Sequence, residues 1–292
     1  MTSKNDLKRL LSRREIAIAP GIYDSLGALL VAEAGFETVY VSGASIAYAR
    51  FGKPDIGLLG LTDVAATVAA IAERVDLPII VDADTGFGNA LNVMQAVQRL
   101  EREGAAAIQL EDQTFPKRCG HLRGKTVIAA DEMVGKVKAA VDARRDSGTL
   151  IIARTDAATV EGVDAAIDRA EQYAEAGADM LFVEAPASKA ELQQIVDRFA
   201  GRLPVMANMV EGGTTPNLTA AELEAMGFAL VIFPGSLVRA TVFMAREYLA
   251  SLRDNGSTHA YRARMVDFTG LNDLLGTSDF LEIGKRYGPK EK

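Results

Sequence analysis

Glu101-Arg-Glu-Gly104-Ala-Ala-Ala-Ile-Gln-Leu-Glu111-Asp112 reads as a helix end, a hinge and a strand in quick succession. Glycine at position 104 accepts the left-handed conformation that closes a helix C-terminus. The apolar run Ala107–Leu110 does not alternate strictly with polar residues, as suits a parallel strand buried on both faces. Three other stretches repeat this shape: Ala32–Gly43, Ala174–Ala185 and Glu224–Gly235, with Gly35, Gly177 and Gly227 at the hinge. Their apolar runs are Val39–Val41, Met180–Val183 and Leu230–Phe233. Four further runs, Ile16–Ala19, Pro78–Val81, Leu150–Ala153 and Leu203–Ala207, bring the candidate strands to eight. Strand–helix alternation at this count predicts an α/β fold, a (β/α)8 TIM barrel.

With 292 residues and no Pro/Gly/Ser-rich or charge-run linker, the chain reads as one domain over 1–292, since such barrels routinely run ~250 residues. Two stretches exceed a plain barrel. Phe115-Pro-Lys-Arg-Cys-Gly-His-Leu-Arg-Gly-Lys125 opens the long segment Gln113–Gly148. A polar loop there, at about 114–125, reads as an active-site lid, ahead of a helix near 130–144. After the eighth strand a helix is expected over about 238–253, then a C-terminal helical tail over about 255–292. Its amphipathic pattern must pack on something, for which a neighbouring subunit is one candidate.

Composition excludes several functions. Thirty-two bases against 39 acids give a net charge of −7, without the basic footprint of a nucleic-acid binder. Aromatics are only 6% and tryptophan is absent, so no stacking platform for single strands is expected. One cysteine excludes an internal disulfide framework. Apolar runs such as Leu77–Val81 fall far short of the ~18 residues of a membrane span. The charged N-terminus does not read as a signal peptide. The expectation is a cytoplasmic protein with neither nucleic-acid nor membrane partner.

In this architecture chemistry sits at the C-terminal ends of the strands. There the sequence turns from apolar to polar: Ser42-Gly43 on strand two, Asp82 and Asp84 on strand three, Glu111 and Asp112 on strand four, Arg154 and Asp156 on strand five, Glu184 on strand six, Asn208 and Glu211 on strand seven. Seven residues separate Gly35 from Ser42, Gly104 from Glu111, and Gly177 from Glu184. Like charges so crowded are costly unless neutralised. A hard divalent cation with oxygen ligands, Mg²⁺ or alternatively Mn²⁺, would do so. Only two histidines are present, which argues against zinc. Asp82 and Asp84, two apart, face one side of a strand, and Glu111 and Asp112 could bond the cation's waters. Arg154 and the loop's Lys117, Arg118 and Arg123 suit a small carboxylate guest. Cys119 lies between Arg118 and Gly120-His121, and flanking cations are expected to lower its pKa and make it a usable acid or base. Gly120–Thr126 is one residue short of a phosphate-binding glycine loop, and Gly86–Leu91 lacks the third glycine of a dinucleotide fingerprint.

Lys117-Arg-Cys-Gly-His121, Val81-Asp-Ala-Asp-Thr-Gly-Phe-Gly88 and Ile108-Gln-Leu-Glu-Asp-Gln113 resemble the isocitrate lyase/phosphoenolpyruvate mutase superfamily, in its 2-methylisocitrate lyase and 2,3-dimethylmalate lyase branch. The resemblance covers essentially the whole chain. It implies a barrel whose eighth helix swaps between subunits of a homodimer, usually within a homotetramer. The implied chemistry is Mg²⁺-dependent carbon–carbon cleavage of a 2-hydroxy di- or tricarboxylate. A 2-methylisocitrate-like acid would give pyruvate and succinate; 2,3-dimethylmalate would give pyruvate and propionate. An oxaloacetate hydrolase, a phosphonate mutase and a non-catalytic dicarboxylate-binding barrel are the further alternatives.

The resemblance also assigns roles. Asp82, Asp84, Glu111 and Asp112 form the metal set. Ser42, Gly43 and Ala44 cradle a carboxylate, and Arg154 polarises the forming carbonyl. Cys119 protonates the departing enediolate, with Lys117 and His121 in the same catalytic loop. Gly120, Glu184, Asn208, Met209, Val210 and Arg239 match substrate-contacting positions. Arg239 resembles the arginine that holds an additional carboxylate in methylisocitrate lyases. Those enzymes usually carry threonine where Val210 stands and phenylalanine at Gly212, so the Asn208–Gly213 stretch leans toward dimethylmalate lyase.

Overall fold

The computed structural model describes residues 4–288. The chain divides between Val238 and Arg239 into two compact units.

The first unit holds eight strands: β1 (Ala17–Ile22), β2 (Val39–Val41), β3 (Ile79–Asp82), β4 (Ala105–Glu111), β5 (Leu150–Thr155), β6 (Met180–Val183), β7 (Val205–Asn208) and β8 (Leu230–Phe233). All pair in parallel in sequence order, and β8 closes on β1 through Ala17–Leu230, Ile18–Val231, Ala19–Ile232 and Pro20–Phe233. The expected barrel is therefore present, with β2, β6 and β8 at the bounds read from the sequence.

Helix α1 (Lys4–Leu11) precedes β1 and α2 (Ser25–Glu33) follows it. Two helices, α3 (Gly43–Phe51) and α4 (Leu61–Ala72), follow β2. The next connections carry α5 (Ala90–Arg102), α6 (Ala130–Ala143), α7 (Val163–Glu175), α8 (Lys189–Phe199) and α9 (Ala220–Met226). Helix α5 shows why these segments are helical. Asn89 caps its start by accepting from Leu91 and Asn92 N–H groups. Val93, Ala96, Val97 and Leu100 then recur at helical spacing and are buried. Gly104 follows its last turn with φ 108°, and a Cβ there would come within 2.9 Å of Ala72. Glycine is thus required on both conformational and steric grounds, and Gly35, Gly177 and Gly227 occupy the same place at positive φ.

Apolar packing forms two layers. Residues facing outward from the strands, such as Val81, Leu110, Ile151 and Leu181, pack with the helices. Residues facing inward, such as Ile80, Leu150, Met180 and Leu230, pack with Leu7 and Leu10 of α1.

Helix α10 (Ser236–Asn255) begins after β8 and continues into the second unit, which also holds α11 (Phe268–Leu274) and α12 (Thr277–Tyr287). Within that unit Tyr248 meets Tyr261 edge to face at 5.6 Å, and Arg264 pairs with Glu247 at 2.7 Å. No helix among the described residues is long and apolar enough to cross a membrane.

Candidate active site

Asp82 ends β3, Asp84 follows in the turn at φ 47°, and Glu111 ends β4. All three are buried, and each offers a carboxylate oxygen within 4.8 Å of the others. Three carboxylates at this spacing repel one another. Burial, with Asp82 and Asp55 nearby, pushes Asp84 up to about 7 against the pull of Lys117. Burial also holds Glu111 well above the ordinary range despite Arg154.

A cation fits the donor set on a further observation. Both Glu111 carboxylate oxygens are buried without a hydrogen-bond partner among the described residues, and Arg154 Nη1 stands 3.3 Å from Oε2 without hydrogen-bond alignment. Asp82, by contrast, accepts from Gln109 Nε2 and the Asp84 N–H, both at 3.2 Å, and Tyr40 orients Gln109 from 2.9 Å. The cluster could hold a metal ion through oxygen ligands alone.

Asp112 is not with them. Its neighbour Glu111 faces into the barrel, so Asp112 points outward, because adjacent strand residues face opposite sides. There its carboxylate accepts from Thr155 Oγ1 at 2.7 Å, Tyr173 OH at 2.8 Å and the Asp156 N–H at 2.8 Å. It is committed to that network and does not reach the cluster. The same inversion displaces Met209: its neighbour Asn208 lines the site, whereas Met209 packs in the outer apolar layer and accepts the Leu218 N–H at Sδ.

Arg154 spans the rim. Asp156 grips it through two parallel bonds of 2.9 and 3.0 Å, while Nη2 lies 3.4 Å from Glu184. Its guanidinium also sits 5.2 Å from the Phe182 ring centroid. Burial opposes ionisation of Asp156, yet Arg154 and Lys125 hold it down to about 2. Glu184 accepts from Asn208 Nδ2 at 3.0 Å and stands 3.3 Å from His121 Nε2. The Thr214 N–H donates to His121 Nδ1 at 3.1 Å, which places the proton of the neutral ring on Nε2, facing Glu184.

The 114–125 loop is tied at its base by the Gln113–Val127 bridge, and the Thr114 N–H donates to the Thr126 carbonyl at 2.9 Å. Lys117 reaches down into the carboxylates, 2.5 Å from Asp55 and 2.7 Å from Asp84. Gly120 lies so near Arg154 and Glu184 that a Cβ would come within 2.6 Å of each. Lys125 bonds the Gly120 carbonyl and Asp156. Cys119 is a free, partly buried thiol. The expected lowering of its pKa does not occur: burial pushes the thiol up, outweighing a backbone hydrogen bond from His121. Arg118, expected to flank it with charge, turns its exposed side chain to the Arg123 carbonyl at 3.1 Å.

Ser42 caps α3 by accepting the Ser45 N–H at 3.2 Å, so the helix N-terminus with Gly43 and Ala44 lies at the rim. The Gly43 N–H is 3.4 Å from Asp82 Oδ2. Val210 is half-buried just beyond β7, and Arg239 lies on α10 in the second unit.

Asp55, Lys125, Asp156, Tyr40 and Gln109 serve this site without having been assigned a role from sequence. Tyr40 and Gln109 are legible in retrospect as the polar residues inside strand runs that are otherwise apolar. Asp55 and Lys125 carry no local signal, since only the folded loop joins them to Asp84 and Asp156.

The phosphoenolpyruvate phosphomutase family model matches residues 7–253. A 2,3-dimethylmalate lyase of Eubacterium barkeri is 41% identical over 287 residues, covering 98% of this chain and 99% of that protein. A 2-methylisocitrate lyase of Aeropyrum pernix is 44% identical over 274 residues, covering 94% and 87%. The solved structure of oxaloacetate acetylhydrolase in complex with 3,3-difluorooxalacetate matches with a TM-score of 0.93 at 34% identity, over 100% of this chain and 99% of that one. Matched end to end in sequence and in fold, this chain belongs to the PEP mutase/isocitrate lyase superfamily.

Proposed function

We propose that the chain is a Mg²⁺-dependent carbon–carbon lyase that cleaves a 2-hydroxy di- or tricarboxylate and releases pyruvate, with 2-methylisocitrate as first substrate and succinate as second product. One observation carries this reading: the Cys119-Gly120-His121 loop lies against Arg154 and Glu184, on the rim that holds the carboxylate cluster. Mn²⁺ would substitute for Mg²⁺. Relatives named as 2-methylisocitrate and 2,3-dimethylmalate lyases support carbon–carbon cleavage over phosphoryl transfer.

Asp82, Asp84 and Glu111 would hold the cation, which when bound supplies a positive charge to bind and polarise the 2-hydroxy acid. The α3 N-terminus at Ser42, Gly43 and Ala44 offers backbone donors to a substrate carboxylate. Arg154, fixed by Asp156, donates to the oxygen that becomes the pyruvate carbonyl. As the carbon–carbon bond breaks, the 2-hydroxyl proton passes to a carboxylate of the rim and the second fragment departs as an enediolate, which Cys119 protonates at carbon; the proton held on the rim then restores the thiol. A thiol kept neutral by burial suits a proton donor better than a thiolate would. His121, Glu184 and Asn208 orient the carboxylate of that fragment, with Gly120 and Val210 lining it. Lys117 ties the loop to Asp84 and keeps water from the enediolate. Arg239 is proposed to receive an additional carboxylate.

One observation favours 2,3-dimethylmalate as the alternative substrate. Gly212 has φ 77°, a conformation in which a phenylalanine would be strained. Coupling pyruvate release to NADH oxidation tests both acids, each with Mg²⁺, with EDTA and in Cys119→Ser. Release that depends on metal and cysteine supports the lyase, and the faster acid names the substrate. Silence on both, with turnover of oxaloacetate or phosphonopyruvate, would replace it with hydrolase or mutase chemistry. Binding of the acids without any turnover would mark a non-catalytic barrel.

We also propose a homodimer or homotetramer with swapped C-terminal helices. The second unit leaves Phe243, Val266, Phe268, Phe280, Leu281 and Tyr287 exposed, which supports a partner surface. A stable monomer by light scattering would overturn this. We propose a cytoplasmic location as well.

A further inference from the structure

We propose that Asp112, Tyr173 and Arg169 form a buried clamp outside the barrel that positions Arg154 for catalysis, an inference that rests on the lyase reading. Asp112 and Tyr173 are fully buried and Arg169 nearly so. Burying a carboxylate, a phenol and a guanidinium together is costly unless each is fully bonded. Here the bonds converge on one carboxylate. Asp112 Oδ1 accepts the Asp156 N–H at 2.8 Å, and Oδ2 accepts Thr155 Oγ1 at 2.7 Å and Tyr173 OH at 2.8 Å. Arg169 Nη1 stands 3.5 Å from Oδ2 and donates to the Ile128 carbonyl at 2.9 Å. Glu161 holds the other face of that guanidinium through bonds of 2.7 and 2.8 Å.

What these bonds fix is the end of β5. Thr155 and Asp156 follow Arg154 directly, and Asp156 grips Arg154 in turn. Asp112 follows Glu111, whose carboxylate faces Arg154 across the rim at 3.3 Å. The clamp therefore sets from outside how far Glu111 and Arg154 stand apart inside. It also holds the foot of the loop, because the Ile128 N–H donates to the Asp112 carbonyl at 2.8 Å while Arg169 takes the Ile128 carbonyl. Helix α7 contributes both Tyr173 and Arg169, four apart on its buried face. None of the three touches the space where substrate would lie, so their role is positioning.

Tyr173→Phe removes one donor from Asp112 at constant volume and is the decisive variant. Arg202→Ala is the control, since Arg202 pairs with Glu171 on the exposed side of the same helix. In Tyr173→Phe kcat should fall about tenfold, as expected for a slightly misplaced catalytic group. KM and the Mn²⁺ dissociation constant should stay within about twofold, and Arg202→Ala should keep wild-type kcat. Hydrogen exchange at the Asp156 amide should quicken in Tyr173→Phe and not in the control. A folded Tyr173→Phe enzyme with wild-type kcat, or an equal loss in Arg202→Ala, would overturn the clamp. Should the wild-type enzyme turn over none of the acids, the lyase reading falls separately. Unchanged exchange at Asp156 would then reject the clamp, and faster exchange would uphold the clamp's hold on β5.

Discussion

The two ends of the barrel interior are built from the same strands two residues apart, yet one end is apolar and the other ionic. On β5 the inward series runs Leu150, Ile152, Arg154; on β6 it runs Met180, Phe182, Glu184. On β3 and β7 Ile80 gives way to Asp82 and Met206 to Asn208, and on β4 Ala107 is followed by Gln109 and Glu111. The outward residues between them, such as Val81, Leu110, Ala153, Val183 and Ala207, stay apolar throughout. Side chains alternate along a strand with period two, so on β3, β5, β6 and β7 the last inward step carries the polar group, and on β4 the last two do. The first steps serve packing, with Leu7 and Leu10 of α1 joining them.

If the division is sound, the ends should fail differently. The largest effect belongs to the metal cluster. Asp84→Ala should cut pyruvate release by at least ~10³-fold, since the charge that binds and polarises the acid is lost. The metal-free melting temperature should change little, because relief of the crowding among three buried carboxylates is offset by the loss of one of the two partners of Lys117. A stability loss as large as the activity loss would break the distinction.

Cys119→Ser should follow, with kcat about 10²–10⁴-fold lower, the usual contribution of a positioned proton donor. Metal affinity measured with Mn²⁺ should not change, because Cys119 is outside the cluster. Met180→Ala probes the opposite end. It should cost about 2–5 kcal/mol in chemical denaturation, as for other fully buried aliphatic truncations. Its kcat should remain within about twofold, and a large kcat loss would show that the apolar layer also sets the rim's geometry.

The same periodicity explains what the sequence did and did not disclose. The strand count, the glycine hinges and the polar ends were legible because each is a local pattern: a run, a helix stop, a change of polarity. Facing was not read to the last residue. Asp112 and Met209 look as eligible as Glu111 and Asn208 in one dimension, but each falls on the outward face of the step after them. The Cys119 thiol departs from the sequence expectation for a related reason. Charge beside it in sequence proved exposed and turned away, while burial, which no spacing reports, dominates. Lys125 and Asp55 meet their partners only once the loop is folded.

The smallest effect, and the sharpest separation of pairing from crowding within the ionic end, is acid titration of Asp156. Its folded pKa, about 2, lies below the ordinary 3.8 because Arg154 and Lys125 outweigh burial. A depressed carboxylate contributes stability that is fully present above the unfolded pKa and is lost as pH falls through the folded one. Between about pH 4 and pH 2 the protein should therefore lose on the order of 2 kcal/mol from this group. Glu111 and Asp112 have the opposite sign: burial raises both, so the stability gained on protonating them falls largely above pH 4, before this loss sets in. The wild-type slope is a sum and decides nothing alone. Asp156→Asn removes one contribution and leaves the others, so the difference between the two denaturation free energies should shrink as pH falls from 4 to 2. A constant difference over that interval would mean that Asp156 gains nothing as an ion, and that Arg154 is held by shape and hydrogen bonding only.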